Sequence, residues 1–474
     1  MTVGKHIETR RADGSMSRTR TIALAACAAA ITALSLGGVA SAARIAAPNY
    51  PPPKNPVTPS TKPKGPFRTL TVCKQSGCKY KTIQKAVNAA KAGWTIKVRR
   101  GTYHERVLIK GSRKRYLKII GDRKHPTRVK LSGKRAKPTS LPNNGITVNG
   151  ADQVTIDGLS AFDYDGYGFF IVNNNGYRLT NLVAKRTGVY GLYAFNSVGG
   201  SMTNSVAAWN NDSGFYVGQT PPQTKPKRTL IKNVVAYGNV LGYSGTNSRY
   251  VTITKSRWYN NGLGIVPNAL DSEKYAPPED NVISDNDIFF NNFNYYAGAP
   301  FKVRPSATGT PYPIGTGILL FGGRRAIVEG NRIYGNELLG IGAIKQILLK
   351  QVDAQDLIGN QIRENSFGND GRNLNGRDLF YDGSGHDNCV TTTGTQGNVP
   401  QSGDTFVPCP ANGGYTGPNT FDQAAQTVAL GWALNVVEPE KNPLQVEAAW
   451  IRHPQPAVGG ITPLVHWEKS QGAG

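Results

Sequence analysis

GFFIVNNNGYRLTNLVAKRTGVYGLYAFNSVGGSMTNSVAAWN, residues 168–210, is nearly two turns of one pattern. A glycine opens a short apolar run, and a second run follows behind an asparagine, first as TNLVA and then as TNSVAAWN. Openings of the same kind recur at Gly214, Gly242, Gly264, Gly317 and Gly340, and three of the six spacings along this series from Gly168 are 23 residues. The second run recurs as KNVVAYGN, DNDIFFNN, GNRIYGN and GNQIREN. A period in the twenties, built of short strands and Asn/Gly turns, is what a stacked β-solenoid requires. The expected fold is all-β, a single-stranded right-handed parallel β-helix of about ten coils.

Stacking turns sequence positions into ladders about 4.8 Å apart along the body. Side chains alternate, so with Phe169, Leu192, Phe215, Tyr243, Ile265, Ile318 and Ile341 inward, the residue after each points outward. Phe170, Tyr193 and Tyr216 are then expected as an exposed aromatic row. Asn181, Asn204, Asn233, Asn286, Asn331 and Asn360 are expected at one corner, bonding each other and the turn backbone.

Arg18 and Arg20 precede an apolar stretch, Thr21 to Val39, that ends in Ala40-Ser41-Ala42. This has the form of a signal peptide cleaved after Ala42, with Met16 giving a more ordinary start than Met1. Leu24-Ala25-Ala26-Cys27 resembles a lipobox, which would make Cys27 a lipidated terminus instead. The domain organisation reads as signal peptide 1–42, Pro/Lys-rich linker 43–66, β-helix 67–388 and an irregular C-terminal segment 389–474, with no later stretch long enough to span a membrane. In an exported chain the two close cysteine pairs, Cys73 with Cys78 and Cys389 with Cys409, are expected as disulfides at the two ends of the solenoid. The segment Phe421 to Asn435 is compatible with a short helix over the final coil.

Thr82 to Ala92 carries Ile83, Ala86, Val87 and Ala90 at helical spacing and serves as the expected cap on the first coil. The surrounding stretch YKTIQKAVNAAKAGWTIKVRRGTYHERVLI, Tyr80 to Ile109, resembles the opening of secreted β-helix proteins of the pectin-lyase-like superfamily, which includes pectin esterases, lyases and epimerases. The resemblance runs over roughly residues 69 to 375 and implies the fold. It does not carry the esterase activity: the QAVAL, QD, DFIFG and arginine-tryptophan elements of pectin esterases do not follow in the expected order, and the Asp-Pro-His-Asp cluster usual in alginate epimerases and related lyases is missing.

Charge is the second clue. The chain carries a formal net charge of +25, and Lys97 to Lys137 holds sixteen Lys or Arg against two acids, Glu105 and Asp122. Such density attracts polyanions. In an exported chain without a nucleic-acid-binding motif, the expected partner is acidic polysaccharide or an anionic cell wall rather than nucleic acid, and the expected state is a monomer.

Sites are sought where the repeat breaks, in the 53 residues between Gly264 and Gly317, read as one further coil with insertions at Asn268 to Asp280 and Phe293 to Thr316. Asn268, Asp271, Glu273 and Lys274 lie in the first insertion, and Arg304 in the second. Gln219 and Asn247 end neighbouring outward strands, and with Phe170, Tyr193, Asn268, Asp271, Glu273, Arg324 and Lys345 they are expected to contact a glycan. If the protein is a lyase or epimerase on uronates, a base must remove the proton beside a carboxylate while a cation neutralises that group. Tyr216, Tyr243 or Lys274 would be the base, and Arg304, Arg324 or Lys345 the neutraliser. No cofactor is required by this reading; Ca²⁺ between Asp163 and Asp165 is possible, although two carboxylates fall short of a calcium shell.

Overall fold

The computed structural model describes residues 60–136, 143–293, 295, 312–400 and 405–437. The expected signal stretch, Cys27, the expected linker up to residue 59, Arg304 and the tail beyond residue 437 lie outside these residues. Every strand ladder is parallel, and the chain winds as a β-solenoid through three sheets of twelve, ten and ten strands. One coil passes from a glycine-led strand (Phe169–Val172) to the twelve-stranded sheet (Asn175–Thr180), then to a third sheet (Val183–Lys185), and returns to the glycine-led sheet at Leu192–Phe195. The twelve strands of the longest sheet give about twelve coils rather than ten.

The inward column expected from the period is the one observed. Phe169, Leu192, Phe215, Tyr243, Ile265, Ile318 and Ile341 are in register and all but excluded from water. Its partner columns are Leu179, Met202, Ile231 and Ile253 on the twelve-stranded sheet and Ala161, Ala184, Ala207, Ala236 and Trp258 on the third. The leading glycines are required by close approach. A Cβ on Gly264 would lie 2.4 Å from the carbonyl oxygen of Gly317, and one on Gly242 2.5 Å from that of Gly264.

The 53-residue interval is a single coil with two enlarged corners, not an additional coil. Ile265 pairs directly with Ile318, while Val282–Ser284 and Asp287–Phe289 supply that coil's other two strands.

At the N-terminal end the helix Ile83–Ala89 buries Ile83, Ala86 and Val87, and stops short of the expected Ala92 because Ala90 is already extended at ψ 143°. Both of its ends are held by side chains from later in the chain. Glu105 accepts from the N–H groups of Ile83 and Gln84, and Lys114 donates to the carbonyls of Val87, Asn88 and Ala90. Opposite charges at the two helix ends also complement its dipole. Disulfides join Cys73 to Cys78 and Cys389 to Cys409.

The solenoid continues past Gly376, since Leu379–Tyr381 and Cys389–Val390 still pair in the glycine-led and twelve-stranded sheets. Asp422 accepts from the N–H of Ala425 at the start of a second helix, Gln423–Val437. Ala425 and Ala429 share a buried cluster with Val266, Leu319, Ile344 and Phe380. This helix therefore packs on the outward side of the glycine-led sheet rather than over the final coil. No described helix is long and apolar enough to cross a membrane.

Candidate functional site

The asparagines expected at one corner form three ladders. Asn181, Asn204 and Asn233 occupy left-handed positions (φ 52°, 49° and 53°), and Asn233 donates to Asn204 at 2.7 Å. Asn286 and Asn331 sit one residue further on, where their side chains turn inward and bond in series to Asn365. Asn360 belongs to another corner, bonded to Asn388 and through it to Asn419. A fourth, buried ladder (Asn210, Asn239, Asn261, Asn291, Asn336, Asn375) closes the turn into the glycine-led strands with links of 2.9–3.3 Å. These amides satisfy turn backbone, which settles their role as structural.

With the corners fixed, the loops that leave the glycine-led strands project along one edge. Residues 219–228, 269–281 and 345–356 interlock there. Gln346 donates to the carbonyl of Ala269, the N–H of Lys350 donates to Asp271, and the buried guanidinium of Arg249 joins Glu279 at 3.1 Å and the carbonyl of Thr220. Asn247 donates to the carbonyls of Leu270 and Glu273 and accepts from the N–H of Leu270, while Gln219 accepts from the N–H of Lys274. Gln219 and Asn247 themselves stand in left-handed turns. Asn268 is wholly buried, bonded to Thr246 and Ser244. The expected glycan contacts Gln219, Asn247, Asn268 and Asp271 are thus anchors of the ridge.

The ridge delivers Glu273 onto the aromatic row. The hydroxyl of Tyr216 donates a hydrogen bond to one Glu273 oxygen, and the other oxygen is buried against Gly218. Gly218 admits this approach, because a Cβ there would meet that second oxygen at 2.5 Å. Burial pushes the Glu273 carboxyl up to about 7, against the lowering effect of the Tyr216 hydroxyl and the Gln219 N–H. Burial, with Tyr190 and Glu273 adding to it, holds Tyr216 well above the usual phenol range. Near neutrality the pair therefore shares its protons between a neutral phenol and a half-ionised carboxyl.

The aromatic row is not exposed as expected. Phe170 is half-buried, and Tyr193 and Tyr216 are buried. A second row, Tyr167 and Tyr190, covers them: Tyr190 stacks on Tyr216 at 4.3 Å and Tyr167 lies 4.8 Å from both Phe170 and Tyr193. Each member of this covering pair directly precedes a leading glycine, a 23-residue spacing that the sequence displays but that the alternation rule alone does not flag.

Tyr243 cannot serve as a base. Its ring is an interior member of the solenoid, packed near Trp258, and burial lifts its hydroxyl far above the neutral range. Arg324 is buried and donates to the carbonyl of Asp353, and Lys345 pairs with Asp356 at 2.9 Å, so both cations are engaged within the scaffold. Lys274 is exposed beside Glu273. The expected cation Arg304 lies outside the described residues.

A cleft of about 690 Å³ opens at the corner between the third and glycine-led sheets, lined by Lys134, Asp163, Asp165, Arg186, Trp209 and Asn211 among others. Asp163 takes a two-pronged bond from Arg186 at 2.6 and 3.2 Å, and Asp165 accepts from Asn143. The pair considered for Ca²⁺ is thus committed to an arginine and an amide, and no group of three or more His, Cys, Asp or Glu is placed to hold a metal among the described residues. Lys130 and Arg186 flank the ring of Phe162 at 5.0 and 5.5 Å, which joins the cleft to the basic N-terminal coils. Trp209, absent from the expected site residues, contacts Tyr237 and Phe293 edge-on.

A family model described as periplasmic copper-binding protein (NosD) matches residues 108–304. No curated protein matches the chain. Among solved structures, the mannuronan C-5 epimerase AlgE6 A-module of Azotobacter vinelandii is 16% identical, with a TM-score of 0.42 over 69% of this chain and 94% of that one. An alginate lyase from Paenibacillus sp. str. FPU-7 is 15% identical, with a TM-score of 0.41 over 66% of this chain and 97% of that one. The pectate lyase Pel9A is 14% identical, with a TM-score of 0.36 over 73% and 82%. These likenesses concern the coil architecture that the strand pairing already displays. The copper of the family's description does not fit the residues present. Copper favours imidazole, thiolate and thioether donors, and residues 108–304 contain one histidine, one methionine and no cysteine. His125 is exposed, whereas Met202 is sealed in the core.

Proposed function

We propose that this is an extracytoplasmic protein that binds acidic, uronate-containing polysaccharide. The observation that carries the reading is the basic stretch of residues 97–137, sixteen Lys or Arg against two acids, from which Lys134 reaches the cleft that holds the Trp209 ring. An aromatic face suits a sugar ring, and cations beside it suit the carboxylates. The apolar N-terminal stretch with its Ala-Ser-Ala end, together with two disulfides, supports an exported location.

One observation favours processing in addition to binding, as a lyase or epimerase. Glu273, poised near neutrality and hydrogen-bonded to Tyr216, has the proton affinity that a general base needs at physiological pH, and exposed Lys274 stands next to it to offset a uronate charge. The alternative is a wall-associated protein that binds without turnover.

A panel of pectate, alginate and glycosaminoglycans, followed by absorbance of unsaturated uronate and by proton NMR for epimerised residues, tests both readings. Product that disappears in Glu273→Gln supports processing. Saturable binding without product leaves the binding reading alone, and no binding to any member of the panel overturns it.

A further inference from the structure

We infer that the N-terminal end carries a second acidic-glycan subsite, a groove built around Trp94 and separate from the Trp209 cleft. This rests on the acidic-polysaccharide reading and extends it. The groove encloses about 600 Å³ and is lined by Pro63, Lys64, Pro66, Arg68, Lys91, Trp94 and Arg115, with Gly65 and Ala92 completing it. Its size lies within the range of sites that enclose small ligands.

The coil geometry puts these residues together. Arg68 and Trp94 occupy equivalent positions just before successive strands of the twelve-stranded sheet, and the N–H of Thr95 bonds the carbonyl of Arg68. The Arg68 guanidinium sits 5.7 Å from the centre of the Trp94 ring. The opposite wall is the incoming chain, residues 60–66, strapped to the body at several points. Arg115 donates to the carbonyl of Thr61 at 2.9 Å, Tyr116 donates to that of Ser60 at 2.8 Å, and the Ser60 hydroxyl bonds Asp152. The strap makes a groove of what would otherwise be an open corner.

Its chemistry is one-sided. Lys64, Arg68, Lys91 and Arg115 face the groove, no carboxylate lines it, and none of the four forms an ion pair with a described carboxylate. Elsewhere on the basic coils Arg123 and Arg128 are paired with Asp157 and Asp122. Four cations held without counter-charge around a half-exposed indole match a chain that carries both ring faces and regularly spaced negative charge. A neutral glycan would leave the cations unanswered. An anion lacking rings would leave the indole unused.

The test is titration of the full exported chain with oligogalacturonate, neutral maltooligosaccharide and inorganic polyphosphate at low and moderate salt. The variants are Lys64→Glu/Lys91→Glu, which alters only exposed lysines, Trp94→Leu, checked for an unchanged thermal transition, and Lys134→Glu in the other cleft. The expected result is oligogalacturonate binding weakened about tenfold or more by Lys64→Glu/Lys91→Glu and by Trp94→Leu, with weak binding of maltooligosaccharide. If the wild type binds oligogalacturonate and only Lys134→Glu weakens it, the groove inference is overturned while the cleft reading survives. If polyphosphate binds at least as tightly and ignores Trp94→Leu, the saccharide assignment is wrong. If the wild type does not bind oligogalacturonate at all, both the groove and the reading beneath it fall.

Discussion

Glu273 is a largely buried carboxyl that accepts a hydrogen bond from the Tyr216 hydroxyl. Its folded pKa is raised, so folding favours the protonated form. The stability this contributes is complete below the ordinary glutamate range and is lost as pH rises through about 7. Wild type should therefore lose about 2 kcal/mol between pH 5 and pH 8 that Glu273→Gln does not lose. Urea denaturation of both proteins at the two pH values measures it, and parallel pH profiles would show the carboxyl to be unperturbed. A second residue-scale prediction concerns the glycine column. Gly264→Ala places a methyl against a backbone carbonyl that cannot move independently, and should cost about 2–4 kcal/mol in the same assay. The inward column was legible because period and alternation together specify it. The burial of Tyr193 and Tyr216 was not, because it depends on rings from Tyr167 and Tyr190, just outside the strands.

At the scale of elements, the ridge of interlocked loops decides what each polar side chain does. Sequence reasoning located the insertion that holds Glu273, yet it treated Gln219, Asn247 and Asp271 as ligand contacts. Which loop faces which is set by long-range pairing, and an amide that bonds a distant carbonyl looks in sequence like one that awaits a sugar. The asparagine ladders illustrate the same limit, since a shift of one residue, from Asn233 to Asn286, converts a left-handed turn position into an inward one. Asn247→Ala should release the tip of the ridge. Its expected signature is a pH dependence of stability as flat as that of Glu273→Gln, because a freed Glu273 returns to water. Thermal transitions of the two variants at pH 5 and pH 8 test this; retention of the wild-type slope in Asn247→Ala would mean that other anchors suffice.

At the scale of the whole molecule, the strand ladders pair each coil with the next, about one period away in sequence. Stability in such an array is a sum of local interfaces, so the ends open first. Both disulfides sit at ends, one before the capping helix and one in the last strand of the twelve-stranded sheet. Reduction should accelerate hydrogen exchange at Thr69–Val72 and Cys389–Val390 and leave Ile231 and Ile253 unchanged, as read by mass spectrometry. Uniform acceleration would instead indicate one cooperative unit.

The stacking that fixes these interfaces also makes the molecule a ruler. Trp94 belongs to the second coil and Trp209 to the sixth, so the two indole rings are offset by four strand spacings, about 19 Å along the axis. That offset changes only in whole coils, gained or lost, while neither site need change at all. A polysaccharide is graduated too, by its sugar repeat. If both sites take one chain, as proposed, affinity should rise in a step once the oligosaccharide is long enough to span them.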